Sequence, residues 1–531
     1  MKRYELVVIG AGPAGLCAAI EGAKAGMRVI VFDENARPGG QLFKQIHKFF
    51  GSKEHKAKVR GFRIGEMLLK EAQEAGVTVC LNAAVIGLFP GKKITVRFAD
   101  HVEQYSGNNL VVATGASENM ILFDGWTKPG VIGAGAAQTL MNLHGVQPGS
   151  RILMVGSGNV GLVVGYQLLQ AGCRLAAVVD AAPRVGGYGV HAAKLARQGV
   201  PFLLSHTVLR AEGEDCVTGA VVAQVGEGFR PVPGTERHLE VDTICLAVGL
   251  SPMSQVLRMS GCEILDTPGG LVPKTDEYGE TTIPGLFAAG DVAGIEEASS
   301  AMIGGRIAGL AAARRAGYLG EEDFSCLAEE QRASLAQLRQ GMFARENRGR
   351  TDLAVTEEGY ALSQSLLKRG YLADEELSAF PSAHVRIAGV HPVIECTQNI
   401  PCNPCQDACK LGCIRVGEHI TALPVLDEAK TCVGCGLCVA NCSGQAIFLV
   451  DEGYDDTRAS ITMAYEFLPS PRPGELGTAL DRSGAPVCEA EVLSLKQAKA
   501  NDGTALLTIA VPKEYAARAR AFRLKGDEND E

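Results

Sequence analysis

A short apolar strand running straight into a spaced glycine triplet constrains this chain more than any other feature. Tyr4–Ile9 is followed by Gly10-Ala11-Gly12-Pro13-Ala14-Gly15 and then by small and apolar residues with a helical pattern. A second apolar run, Arg28–Phe32, ends at Asp33. Strand, glycine turn, helix, strand and acid in that order make a βαβ unit that binds a dinucleotide. The first glycine forms the tight turn. The second lets backbone approach a pyrophosphate, and the third lets helix and strand pack closely. Unpaired amides and the dipole at the helix start favour the phosphates. Asp33 stands where an acceptor for ribose hydroxyls belongs. Cys17, on this helix, reads as a small core residue.

The pattern returns downstream. Arg151–Val155 leads into Gly156-Ser157-Gly158-Asn159-Val160-Gly161, and the next strand ends Ala177-Val178-Val179-Asp180. Asp33 is followed six residues on by Gly39-Gly40, and Asp180 six residues on by Gly186-Gly187. This points to an internal duplication of one nucleotide-binding unit. An acid at Asp180 favours NAD over NADP because it would repel a 2′-phosphate, although Arg184 is near in sequence. Whether the second unit binds a working nicotinamide stays open.

The 531 residues are 46% hydrophobic and 21% charged, an ordinary globular balance. At roughly 150 residues per domain, three to four domains are expected. Lys+Arg is 51 against Asp+Glu 60, a net charge of −9, which argues against a nucleic-acid-binding role. There is no signal-peptide pattern and no apolar run of membrane-spanning length, so a soluble cytoplasmic chain is expected. Nine of the 17 cysteines fall between Cys396 and Cys442. In a cytoplasmic chain such crowding reads as metal binding before disulfide bonding.

Cys432-x-x-Cys435-x-x-Cys438-x-x-x-Cys442 has the bacterial ferredoxin spacing for a [4Fe–4S] cluster. Thiolates suit iron–sulfur clusters, with a zinc site as the alternative. The upstream half, Cys396, Cys402, Cys405, Cys409 and Cys413, is less regular. Aligning Cys409 with Cys442 sets Ile414 against Ile447, and Cys405 and Cys402 against Cys438 and Cys435. Asn399 then occupies the first ligand position, so Cys396 is its displaced substitute, and Cys413 falls on Ala446 as a spare. In two-cluster ferredoxins the fourth cysteine of each run serves the other cluster. One site would take Cys432, Cys435, Cys438 and Cys409; the other would take Cys402, Cys405, Cys442 and Cys396. Lys410 and Ser443 stand where a proline usually follows such runs. One or two clusters remain open.

Asn109–Gly115 reads as a strand ending in a small-residue turn, and Thr282–Asp291 as a strand closing on Gly290-Asp291. With the two glycine loops, these segments resemble the two-dinucleotide-domain flavoproteins, which include thioredoxin reductases and the small subunit of glutamate synthase. The resemblance covers about residues 1–320. It implies FAD contacts at Gly10, Gly12, Pro13, Ala14, Gly15, Asp33, Gly40, Gln41, Thr114, Gly115, Gly290 and Asp291. It implies a second, NAD(P)H-type site at Gly156, Gly158, Gly161 and Asp180. The cysteines outside the cluster, at 17, 80, 173, 216, 245, 262, 326 and 488, include no close redox pair, which argues against disulfide reductase activity.

The order of parts, with Ile400-Pro-Cys-Asn-Pro-Cys405 and the segment Val111–Gly115 through Pro129-Gly-Val131, resembles the α-type subunits of multisubunit amine and imino-acid dehydrogenases. That group includes sarcosine oxidase, proline and hydroxyproline dehydrogenase, opine oxidase and hydrogen cyanide synthase. The resemblance implies an electron-transferring FAD and iron–sulfur subunit whose substrate is oxidised at the flavin of a smaller, amine-oxidase-type β subunit. An FMN at a subunit interface and a further ferredoxin-like subunit stay open. The alternative is a self-sufficient NAD(P)H-dependent oxidoreductase reducing ferredoxin or a small acceptor. No residue is assigned a catalytic role; His191 and His206 read as structural.

The expected fold is α/β: two Rossmann-like dinucleotide-binding domains, the second inserted in the first, followed by smaller parts. FAD-binding residues are 1–120 and 270–320, with the insertion at 121–269. A helical connector at 321–390, a ferredoxin-like domain at 391–450 and a small α+β segment at 451–531 with a disordered acidic tail complete the chain.

Overall fold

The computed structural model describes residues 1–341, 343, 363–380, 382–383 and 389–525. The acidic tail and much of the connector lie outside the described residues. The chain divides into two compact units, each taken by itself below.

The first unit comprises Met1–Phe49, Glu54–Asn119 and Gly249–Gln340. Its sheet centres on Lys2–Ile9, flanked by parallel strands Val29–Phe32 and Val102–Val112. Thr78–Cys80 and Leu286–Ala288 extend the parallel part. Lys93–Arg97 and Ala84–Phe89 add an antiparallel ribbon on the Val102–Val112 side. Leu6–Ile9 is apolar without alternation because both sheet faces are covered. The helices Pro13–Lys24 and Ala298–Arg315 pack on one face. A Cβ at Gly305 or Gly309 would stand 2.1 or 2.4 Å from the carbonyl oxygens of Ala14 or Ala18, so small residues set how closely these helices approach. The helix Glu321–Leu338 also belongs to this unit.

The second unit comprises Phe50–Lys53, Met120–Val248 and Gly341–Glu531. A five-stranded parallel sheet runs in the order Phe202–Leu204, Arg174–Asp180, Arg151–Val155, Thr243–Leu246, Val131–Gly133. An antiparallel ribbon, His206–Glu212, Gly219–Gln224 and Arg237–Leu239, accompanies it. The chain re-enters the first unit at Gly249, earlier than the 270 expected from the sequence. The second parallel sheet ends at Leu246, and the short strands that follow, Leu250–Pro252, Ile264–Thr267 and Gly270–Pro273, belong to the first unit.

The rest of the second unit is built on a seven-stranded antiparallel sheet. Its order is His391–Ile394, Ile447–Asp451, Arg458–Tyr465, Ala505–Pro512, Pro486–Lys496, Leu476–Leu480, Ala521–Leu524. Arg458–Tyr465 alternates, with Ala459, Ile461, Met463 and Tyr465 turned into the core. The expected α+β C-terminal segment is corrected: the described residues after 451 form strands and 3-10 turns, with no α-helix. Nor does the sheet stop at residue 450. It takes in His391–Ile394 and Ile447–Asp451, so the cysteine-bearing loops grow out of its edge.

Candidate functional site

Three constellations carry chemistry. In the first, Gly10 has φ +103, and a Cβ there would lie 2.3 Å from the Ala113 carbonyl oxygen. A Cβ at Gly15 would lie 1.8 Å from the Gly10 oxygen, so the helix starts hard against the turn. Gly12 caps that helix in extended conformation, with Pro13 following, and open space surrounds its missing side chain. The Ala11 amide donates to Asp33 Oδ2 at 2.6 Å. Asp33 Oδ1 accepts from the Asn35 amide and Nδ2, each at 2.8 Å. The Gly39 amide donates to the Ala11 oxygen at 2.6 Å, laying Gly40 beside Gly12. Gly290 approaches Ala14, a Cβ there being 2.8 Å from the Ala14 methyl. Thr114 Oγ1 donates to the Met253 oxygen at 2.8 Å, and Gly115, at φ +73, faces open space. Asp291 Oδ1 accepts from the Glu296 amide, and Gln41 is exposed. The open backbone at Gly12 and Gly115, beside a helix start and a ribose-type acceptor, fits a dinucleotide.

The second constellation repeats this geometry with one displacement. Gly156 has φ +110 against the Ala247 oxygen, and Gly161 packs on the Gly156 oxygen. Gly158 caps the helix Asn159–Gln170 facing open space. Asp180 Oδ2 accepts from both the amide and the hydroxyl of Ser157, each at 2.6 Å. The bond equivalent to Gly39 onto Ala11 comes from Gly187, whose amide donates to the Ser157 oxygen at 2.9 Å. The structure therefore matches Gly39 with Gly187, one residue later than the sequence alignment. Gly186 donates to Ser157 Oγ and Tyr188 to Asn159 Oδ1, so this strap is stitched down over the second glycine loop. His191 packs among Phe50 and Tyr188, and His206 Nδ1 contacts the Leu204 oxygen.

The third constellation is the cysteines. Two short helices carry them alike. Pro404–Ala408 holds Cys405 and is closed by Cys409; Leu437–Asn441 holds Cys438 and is closed by Cys442. The Cys413 amide donates to Cys409 Sγ at 3.2 Å, and the Ala446 amide to Cys442 Sγ at 3.4 Å. Cys413 and Ala446 are thus equivalent, as aligned. Gly434 likewise donates to Cys432 Sγ.

Electrostatic influence sorts the thiols into two groups. Burial raises Cys402, and Cys396, Cys442 and Cys405 raise it further. Burial raises Cys438, with Cys432, Cys435 and Cys409 adding to it. Burial also works against the Cys409 thiolate, but amides of Cys413, Ile414 and Leu411 outweigh it and hold that thiol below its ordinary value. Of the first group, Cys405 is buried, and the half-buried Cys396, Cys402 and Cys442 pack beside Tyr188, Val190 and Ile400. In the second, Cys435 is exposed next to Val433, itself 67% exposed. Among the described residues no three His, Cys, Asp or Glu side chains are arranged to hold a single metal ion. A four-iron cluster spreads its four thiolates over separate irons, so they need not converge on a point. The amide-to-sulfur bonds and the two groups fit such clusters, with Cys413, which burial raises and Cys409 and Cys432 raise further, as a fifth cysteine beside the second group. Sequence reasoning missed Arg197, Tyr166 and Gln445, which brace the Cys442 turn; no local spacing marks them.

Among the described residues no helix is long and apolar enough to cross a membrane. Residues 4–317 match the pyridine nucleotide-disulphide oxidoreductase family. The chain is 33% identical over 336 residues to the A subunit of opine oxidase from Agrobacterium tumefaciens (strain Ach5), covering 58% of this chain and 65% of that one. It is 30% identical over 323 residues to the HcnB subunit of hydrogen cyanide synthase from Pseudomonas aeruginosa, covering 57% and 69%. It is 27% identical over 333 residues to the alpha subunit of sarcosine oxidase from Corynebacterium sp. (strain P-1), covering 59% and 33%. The chain thus spans just under two thirds of the opine oxidase relative. It belongs to the pyridine nucleotide-disulphide oxidoreductase family and is an FAD-dependent oxidoreductase.

Proposed function

We propose that the chain is the electron-transferring FAD and iron–sulfur subunit of a multisubunit amine or imino-acid dehydrogenase whose substrate is oxidised at a partner's flavin. The observation that carries this reading is the pair of matching short helices that hold Cys405 and Cys438 and are closed by Cys409 and Cys442, each closing sulfur accepting a backbone amide, within a chain of this flavoprotein family. The relatives' names as subunits support a partner; the sequence resemblance supplies its character, a smaller amine-oxidase-type flavoprotein.

Bound flavin exchanges hydride or single electrons, and clusters pass single electrons. The chain's own part is to hold them. Gly10, Gly12, Gly15 and the start of helix Pro13–Lys24 would receive the pyrophosphate, and Asp33 a ribose. Cys396, Cys402, Cys405 and Cys442 would hold one cluster; Cys409, Cys432, Cys435 and Cys438 the other. Thiolate-held clusters belong in a reducing compartment, which fits the cytoplasm.

The intact second loop with its carboxylate favours a second reading, in which NAD(P)H itself reduces the chain. Stopped-flow mixing of the anaerobically purified chain with NADH separates the two. Reduction only in the presence of partner and amine supports the proposal. Rapid flavin bleaching by NADH alone refutes it in favour of the second reading. Purified protein with flavin but no iron refutes both.

A further inference from the structure

Arg197 closes the helix Gly189–Ala196 as its C-terminal cap. It is 7% exposed, and its guanidinium lies 5.3 Å from the centre of the Phe448 ring. Its Nη2 donates to the Gln445 carbonyl oxygen at 3.0 Å. Among the described residues no carboxylate forms an ion pair with it. Glu395, the acid that acts on it most, is engaged by Arg482 and Arg520. Burial works against its charge, while Glu395, Tyr166 and Cys442 support it.

Gln445 sits at φ +50, a conformation a side chain rarely adopts unaided. Two groups outside the turn brace it: Arg197 at its carbonyl, and Tyr166, whose hydroxyl donates to Gln445 Oε1 at 2.8 Å. Within the turn, the Gln445 amide donates to the Cys442 oxygen, and the Ala446 amide to Cys442 Sγ. The guanidinium is therefore fastened to the turn that wraps the Cys442 sulfur.

We propose that Arg197 is the positioning residue that raises the reduction potential of the cluster held by Cys396, Cys402, Cys405 and Cys442. The inference rests on the cluster reading above. Reduction adds one electron, and so one negative charge, to a cluster. A buried cation not neutralised by an ion pair favours the more negative state, strongly so in a medium of low dielectric. No bond is made or broken; in the titration the electron comes from dithionite. The influences on Cys438 in the other group are burial, cysteines and a backbone amide.

The test is a dithionite titration of the anaerobically purified full-length chain, followed by electron paramagnetic resonance and iron content. In Arg197→Gln the reduced-to-oxidised ratio of one cluster should fall about tenfold at fixed ambient potential, a shift of about 59 mV for a one-electron couple. The other cluster should not move. Arg197→Lys keeps the charge and should stay within about threefold of the parent, about half that shift. Unchanged potentials in Arg197→Gln with iron retained overturn the inference. So does an Arg197→Lys shift equal to that of Gln, which would assign the effect to the hydrogen bond. Loss of iron from Arg197→Gln overturns it as well, since the residue would then hold the site rather than tune it. Parent protein without iron instead sinks the proposed function, and is read before any variant.

Discussion

Glu395 precedes Cys396 and holds two buried arginines in that region. Its side chain is 5% exposed. Arg482 reaches its Oε1 at 3.0 and 2.7 Å, and Arg520 at 2.5 Å. The Glu395 amide also donates to the Ala446 oxygen, joining both ends of the first cysteine group. Burial works to raise its carboxyl, yet Arg520 and Arg482 outweigh it and hold it down to about 2 from 4.5. At neutral pH that difference is worth about 3 kcal/mol. Burial pulls Arg520 down to about 10, with Glu395 opposing, so it stays charged at neutral pH. Glu395→Gln leaves two buried guanidiniums without their shared carboxylate. Arg482 keeps Asp374, which is 60% exposed and screened by water. Breaking a buried pair from one side costs about 3–5 kcal/mol. Hydrogen–deuterium exchange reads this locally, without assuming that a chain of two units unfolds in one step. Amides of His391–Ile394 and Ile447–Asp451 should lose protection by about a hundredfold to a few thousandfold. The parallel sheet of the first unit should be unaffected. Protection within threefold of the parent would refute the reasoning, because a neutral amide would then satisfy both guanidiniums as well as the carboxylate does.

Gly15→Val should abolish flavin retention, since its Cβ would stand 1.8 Å from the Gly10 oxygen; flavin absorbance per chain at or near the parent's would contradict this. Cys413→Ser should leave iron at the parent's level, while Cys438→Ser should lower it by about four per chain, as measured by ferrozine assay. Equal losses in both variants would mean that Cys413 is a ligand. On slow exposure to air the cluster at Cys409, Cys432, Cys435 and Cys438 should be lost first, because Cys435 is exposed whereas no cysteine of the other group is. Loss of both signals at one rate would count against that ordering.

The two glycine loops, the acids at their strand ends and the likeness of the two cysteine turns were legible because each depends on residues close in sequence. A turn, a helix start and an acid at a strand end are local structures. The match of Cys413 with Ala446 was likewise readable from spacing alone and reappears as two amides donating to equivalent sulfurs. Three features were not legible. The re-entry at Gly249 depends on which sheet recruits Leu250–Pro252, a choice made by tertiary packing. The C-terminal sheet draws its edge strand, His391–Ile394, from before the cysteines, across a separation no periodicity reveals. The one-residue offset between Gly39 and Gly187 is set by a backbone bond, not by glycine count.

The proposed crossed ligation would give the cysteine region a consequence that neither run has alone. Cys442 lies at the end of the regular run, yet its electrostatic neighbours are Cys396, Cys402 and Cys405. Cys409 ends the irregular run, yet it acts on Cys432 and Cys438. Each group of four is therefore closed by the helix that carries the other group's middle cysteine. The two helices are alike in length and C-terminal cap, but their surroundings differ. The turn after Cys442 is braced by Tyr166 and Arg197, and a Cβ at Gly444 would stand 2.8 Å from Val190. The turn after Cys409 carries Leu411, 48% exposed. Under the proposed function, equal ligands would meet unequal surroundings, in which burial and the Arg197 charge act on one cluster in opposite directions. A duplicated ferredoxin fold with identical surroundings would give two clusters of one potential. Under the proposed function the asymmetry would come from Tyr166, Val190 and Arg197 of the second parallel-sheet domain, packed at the turn after Cys442, and this domain would shape electron flow whether or not it holds a nucleotide.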